Sequence, residues 1–218
     1  PIFPAGLGAL EDRVQAITAS GREARLVAGG RVKHMTMGQN DVLGRYFGRV
    51  RASLGRDRCR VLEASDVIAD AAPRWPKRRD LPEWGLSVWS HGSVFAGGRL
   101  DPGTELLLRA LVGSYPSRHP PVHPPRGEEP PVLNSARRAR AADINTASEL
   151  RGRALDLGCG SGILASWLAK RGWATSASDV SWFALDATQR TAEANGVQVE
   201  THWRDGLRGA ASGSFDLI

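Results

Sequence analysis

Residues 154–162, Ala-Leu-Asp-Leu-Gly-Cys-Gly-Ser-Gly, constrain the fold more than any other stretch. A short apolar run ending at Asp156 and Leu157 reads as a buried parallel strand, and Gly158, Gly160 and Gly162 precede a helical pattern that starts at Ile163. Glycine at alternate positions opens backbone conformations closed to other residues and lets a ligand approach the main chain without meeting a Cβ. Ile163, Leu164, Trp167 and Leu168 bury one helix face, and Lys170, Arg171 and Gly172 close the helix with basic residues and a terminal glycine. A strand, a glycine turn and a helix in this order predict free N–H groups at the helix start, facing a ligand.

Turns of this kind also serve dinucleotides in other doubly wound proteins. Here the spacing is G-x-G-x-G rather than G-x-G-x-x-G, and Asp156 sits inside the strand end. A second strand over 173–178 leads into Asp179, whose carboxylate can accept both hydroxyls of a ribose. On these residues the chain resembles the class I S-adenosylmethionine-dependent methyltransferases, whose first motif reads D-x-G-x-G-x-G; Asp156, Gly158, Gly160 and Gly162 stand at those places. The resemblance implies an α/β fold with a Rossmann-like sheet and S-adenosyl-L-methionine as cofactor. Asp156, Gly158, Cys159, Gly160 and Gly162 would then line its methionine side, and Asp179 would hold its ribose.

The chain has 218 residues, 41% of them hydrophobic, enough for one large domain or two small ones. A formal net charge of +6 and a pI of about 10.1 favour a polyanionic partner, nucleic acid first. Cys59 and Cys159 lie too far apart to suggest a disulfide framework, which predicts a reducing compartment. No apolar run approaches the roughly 18 residues of a membrane span and no signal-peptide pattern opens the chain, so a soluble cytoplasmic protein is expected. The chain starts at Pro1 and ends within the apolar run 215–218, so both ends read as internal to a longer protein.

In chain order, Leu7, Leu10, Val14 and Ile17 predict a helix over 5–20, followed by a strand over 24–28 ending at Gly29 and Gly30. A second helix is predicted over 41–54, capped by Asn40 or Asp41. It would bury Val42, Leu43, Tyr46, Phe47, Val50 and Leu54 and leave Arg45, Arg49 and Arg51 opposite. With a strand over 58–63, residues 1–66 form a partial α/β segment. The loop Lys33-His34-Met35-Thr36-Met37 and the nearby arginines suit either a solvated face or RNA phosphates.

Pro73, Pro76 and Pro82 mark 67–83 as a linker before a second domain, 84–218. Short strands over 85–89 and 93–96 around His91-Gly92 read as a hairpin, and Thr104 as the cap of a helix burying Leu107, Leu108 and Leu111 and stopping at Gly113. Region 113–150 holds seven of the thirteen prolines and is predicted to be a disordered or polyproline-like insertion. Its His119 and His123 are held apart by prolines, so no metal site is expected, and Arg137, Arg138 and Arg140 read as a solvated tail. Ser181 is predicted to cap a helix over 182–194; strands over 197–203 and 215–218 follow. Trp167, Trp173, Trp182 and Trp203 are assigned to the core, and Trp75, Trp84 and Trp89 to packing, with base stacking as the alternative.

An apolar strand, Phe95, Asp101, Gly103-Thr104 and a leucine-rich helix resemble the stretch before the first motif in the small-domain methyltransferases of ribosomal RNA, which act on guanine N2. Lys33-His34-Met35-Thr36, a helix at Phe47-Gly48-Arg49-Val50 and Arg60-Val61-Leu62 resemble the cofactor-free half that precedes the active one. The resemblance covers nearly the whole chain outside 113–150 and implies ribosomal RNA or a ribosomal subunit as partner. It also implies Asp205, with Gly206 beside it, at the adenine, and Phe95, Asp101 and Thr104 covering the pocket. In that family an Asn-Pro-Pro-aromatic motif follows the fourth strand, past Ile218, so no residue of this chain is assigned a catalytic role. The glutamine methyltransferases of release factors share that motif and are one rival. A non-catalytic cofactor- or RNA-binding module is another, if the natural chain stops at Ile218. The basic N-terminal segment favours RNA over protein.

Overall fold

A computed structural model describes residues 6–21, 23–114 and 151–218. From residue 115 onward the predicted Pro-rich insertion, with His119, His123, Arg137, Arg138 and Arg140, lies outside the described residues. The chain divides into two units, 1–77 with 91–97 and 78–90 with 98–218.

The first unit contains α1 (Leu7–Thr18), β1 (Leu26–Arg31), α2 (Met37–Gly44), β2 (Phe47–Ala52) and β3 (Cys59–Val67). Its strands form an antiparallel sheet in the order β1-β3-β2, with Leu26 opposite Ala64 and Phe47 opposite Val67. Val14, Leu43, Tyr46, Phe47, Leu62 and Ala64 make its core. On α1, Leu7 and Ile17 are exposed, while Glu11 and Asp12 are buried. Burial of those carboxylates is tolerated because each has donors. Glu11 Oε1 accepts from Arg45 at 2.5 Å and lies 3.5 Å from Arg74. Asp12 Oδ1 meets His91 Nδ1 at 2.7 Å, and its Oδ2 accepts the Ser93 hydroxyl at 2.7 Å.

Three expectations for this unit are corrected. β1 runs through Gly29 and Gly30, because Val61 and Arg60 of β3 supply the ladder that glycine's low strand propensity would forgo. The helix predicted over 41–54, including the helix at Phe47-Gly48-Arg49-Val50, is instead the end of α2 followed by β2; Asn40 and Asp41 lie inside α2, and Leu54 is 94% exposed. Gly44 and Gly48 weaken a continuous helix, and β3 offers Phe47–Ala52 a full antiparallel register, so tertiary pairing overrides the helical spacing. The predicted hairpin partner 93–96 is not a strand; residues Phe95–Gly98 form a kinked 3-10 turn with Ala96 at φ 59°.

The second unit is built from β4 (Lys77–Leu81), β5 (Leu86–Ser90), α3 (Pro102–Ser114), β6 (Arg153–Leu157), α4 (Ile163–Ala169), β7 (Ala174–Asp179), α5 (Trp182–Ala194) and β8 (Val199–Trp203). β4, inside the stretch predicted as a linker, pairs with β5. β6, β7 and β8 form a parallel sheet in that order, with Leu155 opposite Ser176 and Ala177 opposite Thr201. Leu155 N–H donates to the Leu217 carbonyl at 2.9 Å, so the predicted fourth strand lies beside β6 as a single parallel bridge.

Leu86, Val88, Leu108, Ala154, Ile163, Trp167, Leu168 and Trp173 form the larger core of this unit, and Trp84 packs against it. Thr191 and Asn195 of the α5 end replace a strand at the edge of β5. The Thr191 hydroxyl accepts from Trp89 N–H at 2.9 Å, and the Asn195 amide bridges both backbone groups of Ser87, at 3.1 and 2.7 Å. Trp167 and Trp173 are buried as expected, whereas Trp182 and Trp203 are 61% and 73% exposed. Their strand-end and first-turn positions leave nothing to cover an indole; Trp203 Nε1 donates to the Val180 carbonyl at 2.8 Å. Among the described residues no helix is long and apolar enough to cross a membrane.

Candidate cofactor site at the glycine turn

β6 delivers the chain to the carboxyl end of the parallel sheet, where Gly158, Gly160 and Gly162 adopt φ of 76°, 54° and 72°. A Cβ costs roughly 1–2 kcal/mol in such left-handed backbone, which explains glycine at all three places. Space separates their roles. A Cβ at Gly162 would meet the Thr188 Cα at 2.8 Å, so this glycine lets α5 pack against the turn. A Cβ at Gly158 would meet nothing within 4 Å, so this glycine borders open space.

The expectation of free N–H groups is corrected for the turn itself, whereas Ile163 and Leu164 N–H, the first two of α4, meet no acceptor among the described residues. Gly158 and Cys159 both donate to the Ser178 carbonyl, at 2.8 and 3.1 Å, and Gly162 donates to the Cys159 carbonyl at 2.8 Å. Ala165, in the first turn of α4, donates to Asp156 Oδ2 at 2.9 Å. Buried N–H groups need partners, and these find them within the protein. Asp156 therefore ties the end of β6 to the start of α4. Burial pushes its carboxyl up to about 6, the Ala165 hydrogen bond pulls it back, and the Asp179 charge adds to the rise.

Asp179, at the end of β7, comes back to the turn. Its Oδ2 accepts Gly160 N–H at 3.2 Å and its Oδ1 accepts Ser181 N–H at 2.8 Å. The predicted Ser181 side-chain cap is not made; instead Asp179 holds the Ser181 N–H just ahead of α5. A carboxylate has about four lone-pair sites. Two remain for hydroxyl donors, as a ribose would require. Asp156, Gly160 and Asp179 are thus brought together.

Cys159 is buried, and its thiol, pushed up to about 12 mainly by burial, is neutral packing. Thr188 donates its hydroxyl toward Cys159 Sγ at 3.2 Å and lies 3.4 Å from the Gly160 carbonyl. Thr188 thereby braces the turn; no local pattern in the sequence marks it. Asp205 follows β8 and is exposed; Arg204 N–H donates to the Asp179 carbonyl at 3.2 Å, which sets this backbone beside the end of β7. Gly206 has φ 59° and open space at its Cβ position.

Asp101 and Thr104 are engaged with each other. Asp101 Oδ1 accepts Gly103 and Thr104 N–H at 3.0 and 3.2 Å, and Oδ2 accepts the Thr104 hydroxyl at 2.6 Å. Asp101, not Thr104, therefore caps α3, and the Thr104 hydroxyl holds its carboxyl below the usual range. Leu108 is buried on α3, but Leu107 is exposed. Phe95 is 80% exposed and belongs to the first unit. No cluster of three or more His, Cys, Asp or Glu side chains among the described residues has the geometry to hold a metal ion.

Residues 141–218, which carry the turn and all of the parallel sheet, match the family described as "Methyltransferase small domain". Over these residues the chain is similar to the methyltransferase small domains. A relative from Chromohalobacter salexigens, "Ribosomal RNA small subunit methyltransferase C", is 37% identical over 191 residues, which is 81% of this chain and 47% of the relative. "Ribosomal RNA large subunit methyltransferase G" of Pseudomonas entomophila is 30% identical over 99% of this chain and 50% of its own length. The chain thus spans about half the length of the curated relatives it matches. In fold, it matches a T. thermophilus 16S rRNA N2 G1207 methyltransferase solved with AdoMet and guanosine, at a TM-score of 0.62 and 19% identity over 96% of this chain and 50% of that one. The small domain is therefore a class I methyltransferase sheet, as the D-x-G-x-G-x-G spacing predicted.

Proposed function

We propose that this chain carries the cofactor-binding part of an S-adenosylmethionine-dependent methyltransferase that modifies guanine N2 in ribosomal RNA. The observation that carries the reading is the Asp179 carboxylate, bound to Gly160 N–H with two lone-pair sites left over, beside a glycine turn that is open at Gly158. When bound, S-adenosylmethionine supplies a methyl group on a sulfonium centre, for transfer to a nucleophilic nitrogen. Asp179 would accept the ribose hydroxyls, and the turn from Gly158 to Gly162 would let the methionine part approach the main chain without a Cβ. Asp156 would hold the turn to α4 rather than touch the ligand, and Asp205 with Gly206 would face the adenine. The names of the relatives support ribosomal RNA as substrate, and the basic net charge of +6 agrees with it.

Isothermal titration with S-adenosylmethionine, S-adenosylhomocysteine and NAD tests the cofactor. Binding of the two sulfur ligands, lost in Asp179→Ala, is expected; binding of NAD instead would sink the reading. Because no catalytic residue is assigned within this chain, the product is tested on a protein extended past Ile218 through the Asn-Pro-Pro-aromatic motif. It is incubated with labelled cofactor and either unmodified ribosomal RNA or a release factor, followed by mass spectrometry. N2-methylguanosine is expected, whereas label in protein glutamine would give the reaction to the other substrate class.

A further inference from the structure

We propose that the tip of the β2–β3 hairpin is where the first unit grips the phosphate backbone of an RNA; this rests on the reading of the chain as an RNA methyltransferase. Residues 51–60 are all exposed, so the ribbon stands clear of the core of its unit. Its turn is tight: Arg56 and Cys59 exchange backbone hydrogen bonds at 2.9 and 2.8 Å around Asp57 and Arg58. Val32 N–H donates to the Arg58 carbonyl at 2.9 Å, and Arg31 stands opposite Cys59, which brings the end of β1 to the same place. Arg31, Lys33, Arg56, Arg58 and Arg60 therefore gather at one end of the sheet, with Asp57 the acid of the turn.

Two observations separate this cluster from an ordinary solvated surface. Elsewhere in the unit, Arg25, Arg45, Arg49 and Arg74 each meet a carboxylate, and only Arg13 and Arg51 among the described arginines do not. At the tip, by contrast, Arg31, Lys33, Arg58 and Arg60 form no ion pair among the described residues, and Arg56 has only Asp57, at 3.7 Å with both side chains above 90% exposed. The second observation is backbone strain. Asp57 and Arg58 lie at φ 52° and 61°, the left-handed pair of a two-residue hairpin turn in which glycine is favoured at the second place. An arginine there is conformationally costly, and its side chain does nothing for the fold.

Unpaired cations on a projecting ribbon suit a polyanion at close quarters, because neutralising phosphates releases condensed counterions. Residues 51–60 carry no aromatic side chain for base stacking. The contact is therefore to the backbone and positions the RNA without reading its sequence.

The test compares the whole chain with the triple variant Arg56→Gln, Arg58→Gln, Arg60→Gln for binding of a fluorescein-labelled RNA stem-loop across a salt series. The slope of log K against log salt is expected to become shallower by roughly two, at about 0.7 to 0.9 per phosphate contact, with a loss of affinity of at least about tenfold at the lowest salt of the series that narrows as salt rises. Arg109→Gln with Arg190→Gln and Arg13→Gln, equal in charge but elsewhere, should change the slope far less. Equal losses in both sets would make the effect one of net charge and overturn the proposal. So would unchanged RNA binding in the tip variant, or binding of phosphatidylserine vesicles in place of RNA. Arg58→Gly, which relieves the strained turn while removing one cation, guards against misfolding and should still lose affinity. S-adenosylmethionine titration on the same samples separates the two readings. Cofactor binding with no effect at the tip refutes only the RNA grip, whereas no cofactor binding refutes the methyltransferase reading.

Discussion

Asp12 in the first unit and Asp156 in the second are both buried carboxylates, and their surroundings differ. Asp12 is met by the His91 ring, the Ser93 hydroxyl and the Ser93 N–H, and Glu11 beside it is met by Arg45, Arg74 and the Trp75 indole. Asp156 has the Ala165 N–H, and its nearest charge is a second carboxylate, Asp179. The first arrangement is what a packed unit needs to bury an acid at little cost. The second leaves an acid under-compensated beside open backbone, a pattern that collects where a ligand is to be held. A glycine comparison teaches the same lesson inside the second unit: Gly162 is required by a neighbour, and Gly158 by a conformation next to empty space.

The sharpest way to break that distinction is to fill both glycines. Gly162→Val should cost roughly 4 kcal/mol, combining left-handed strain with overpacking against Thr188, whereas Gly158→Ala should cost about 1–2 kcal/mol and still remove S-adenosylmethionine binding. Urea denaturation and calorimetry on the whole chain would measure both; equal stability losses would contradict the assigned roles.

Next in size is the pH response of Asp156. Its folded value, about 6, lies above the ordinary 3.8, so the native state binds the proton more tightly than the unfolded chain. Stability contributed by this group is present below about pH 4 and falls as pH rises through about 6, by roughly 3 kcal/mol in all. Asp156→Asn should flatten that slope in a series of denaturation curves from pH 4 to 7. A slope unchanged in the variant would place the titration elsewhere.

In the first unit, Asp12→Ala should cost about 2 kcal/mol by removing the acceptor that Asp12 offers to buried His91 and half-buried Ser93, with no change in S-adenosylmethionine affinity. Loss of that affinity would erase the contrast between the two carboxylates. The smallest effect belongs to Arg58→Gly, expected to raise stability by about 1 kcal/mol or less as left-handed strain is relieved, read as a small rise in melting temperature.

Much of the second unit was legible because its signals are local. Three glycines after an apolar strand, a helix with Trp167 and Leu168 on one face, and Asp179 at the next strand end require no knowledge of distant contacts. The first unit was less legible at 41–54, where Val42, Leu43, Tyr46, Phe47 and Val50 satisfy a helical spacing. The last two lie three apart, on opposite faces of an extended strand, so no local period marks β2 and only its pairing with β3 decides. The exposed Trp182 and Trp203 were misread for a related reason, since an indole's preference for the interior says nothing about whether an element's end is covered. Thr188, Thr191 and Asn195 were invisible because threonine and asparagine in a helix become braces only when another segment lies against them.

The sequence by itself determined the parallel α/β class of the second unit, the glycine turn and the two carboxylates nearest it. Those follow from side-chain period and from backbone conformations that glycine alone enters cheaply. The tertiary structure decided how the hydrogen bonds of the turn are spent: Asp156 on Ala165, Asp179 on Gly160 and Ser181, and the Ser178 carbonyl on Gly158 and Cys159. It also decided that 47–52 is strand and that the arginines of the hairpin tip stand without carboxylate partners, Asp57 aside. Each of those outcomes depends on a partner far away in sequence, and a donor or acceptor carries no mark of which partner the fold will bring to it.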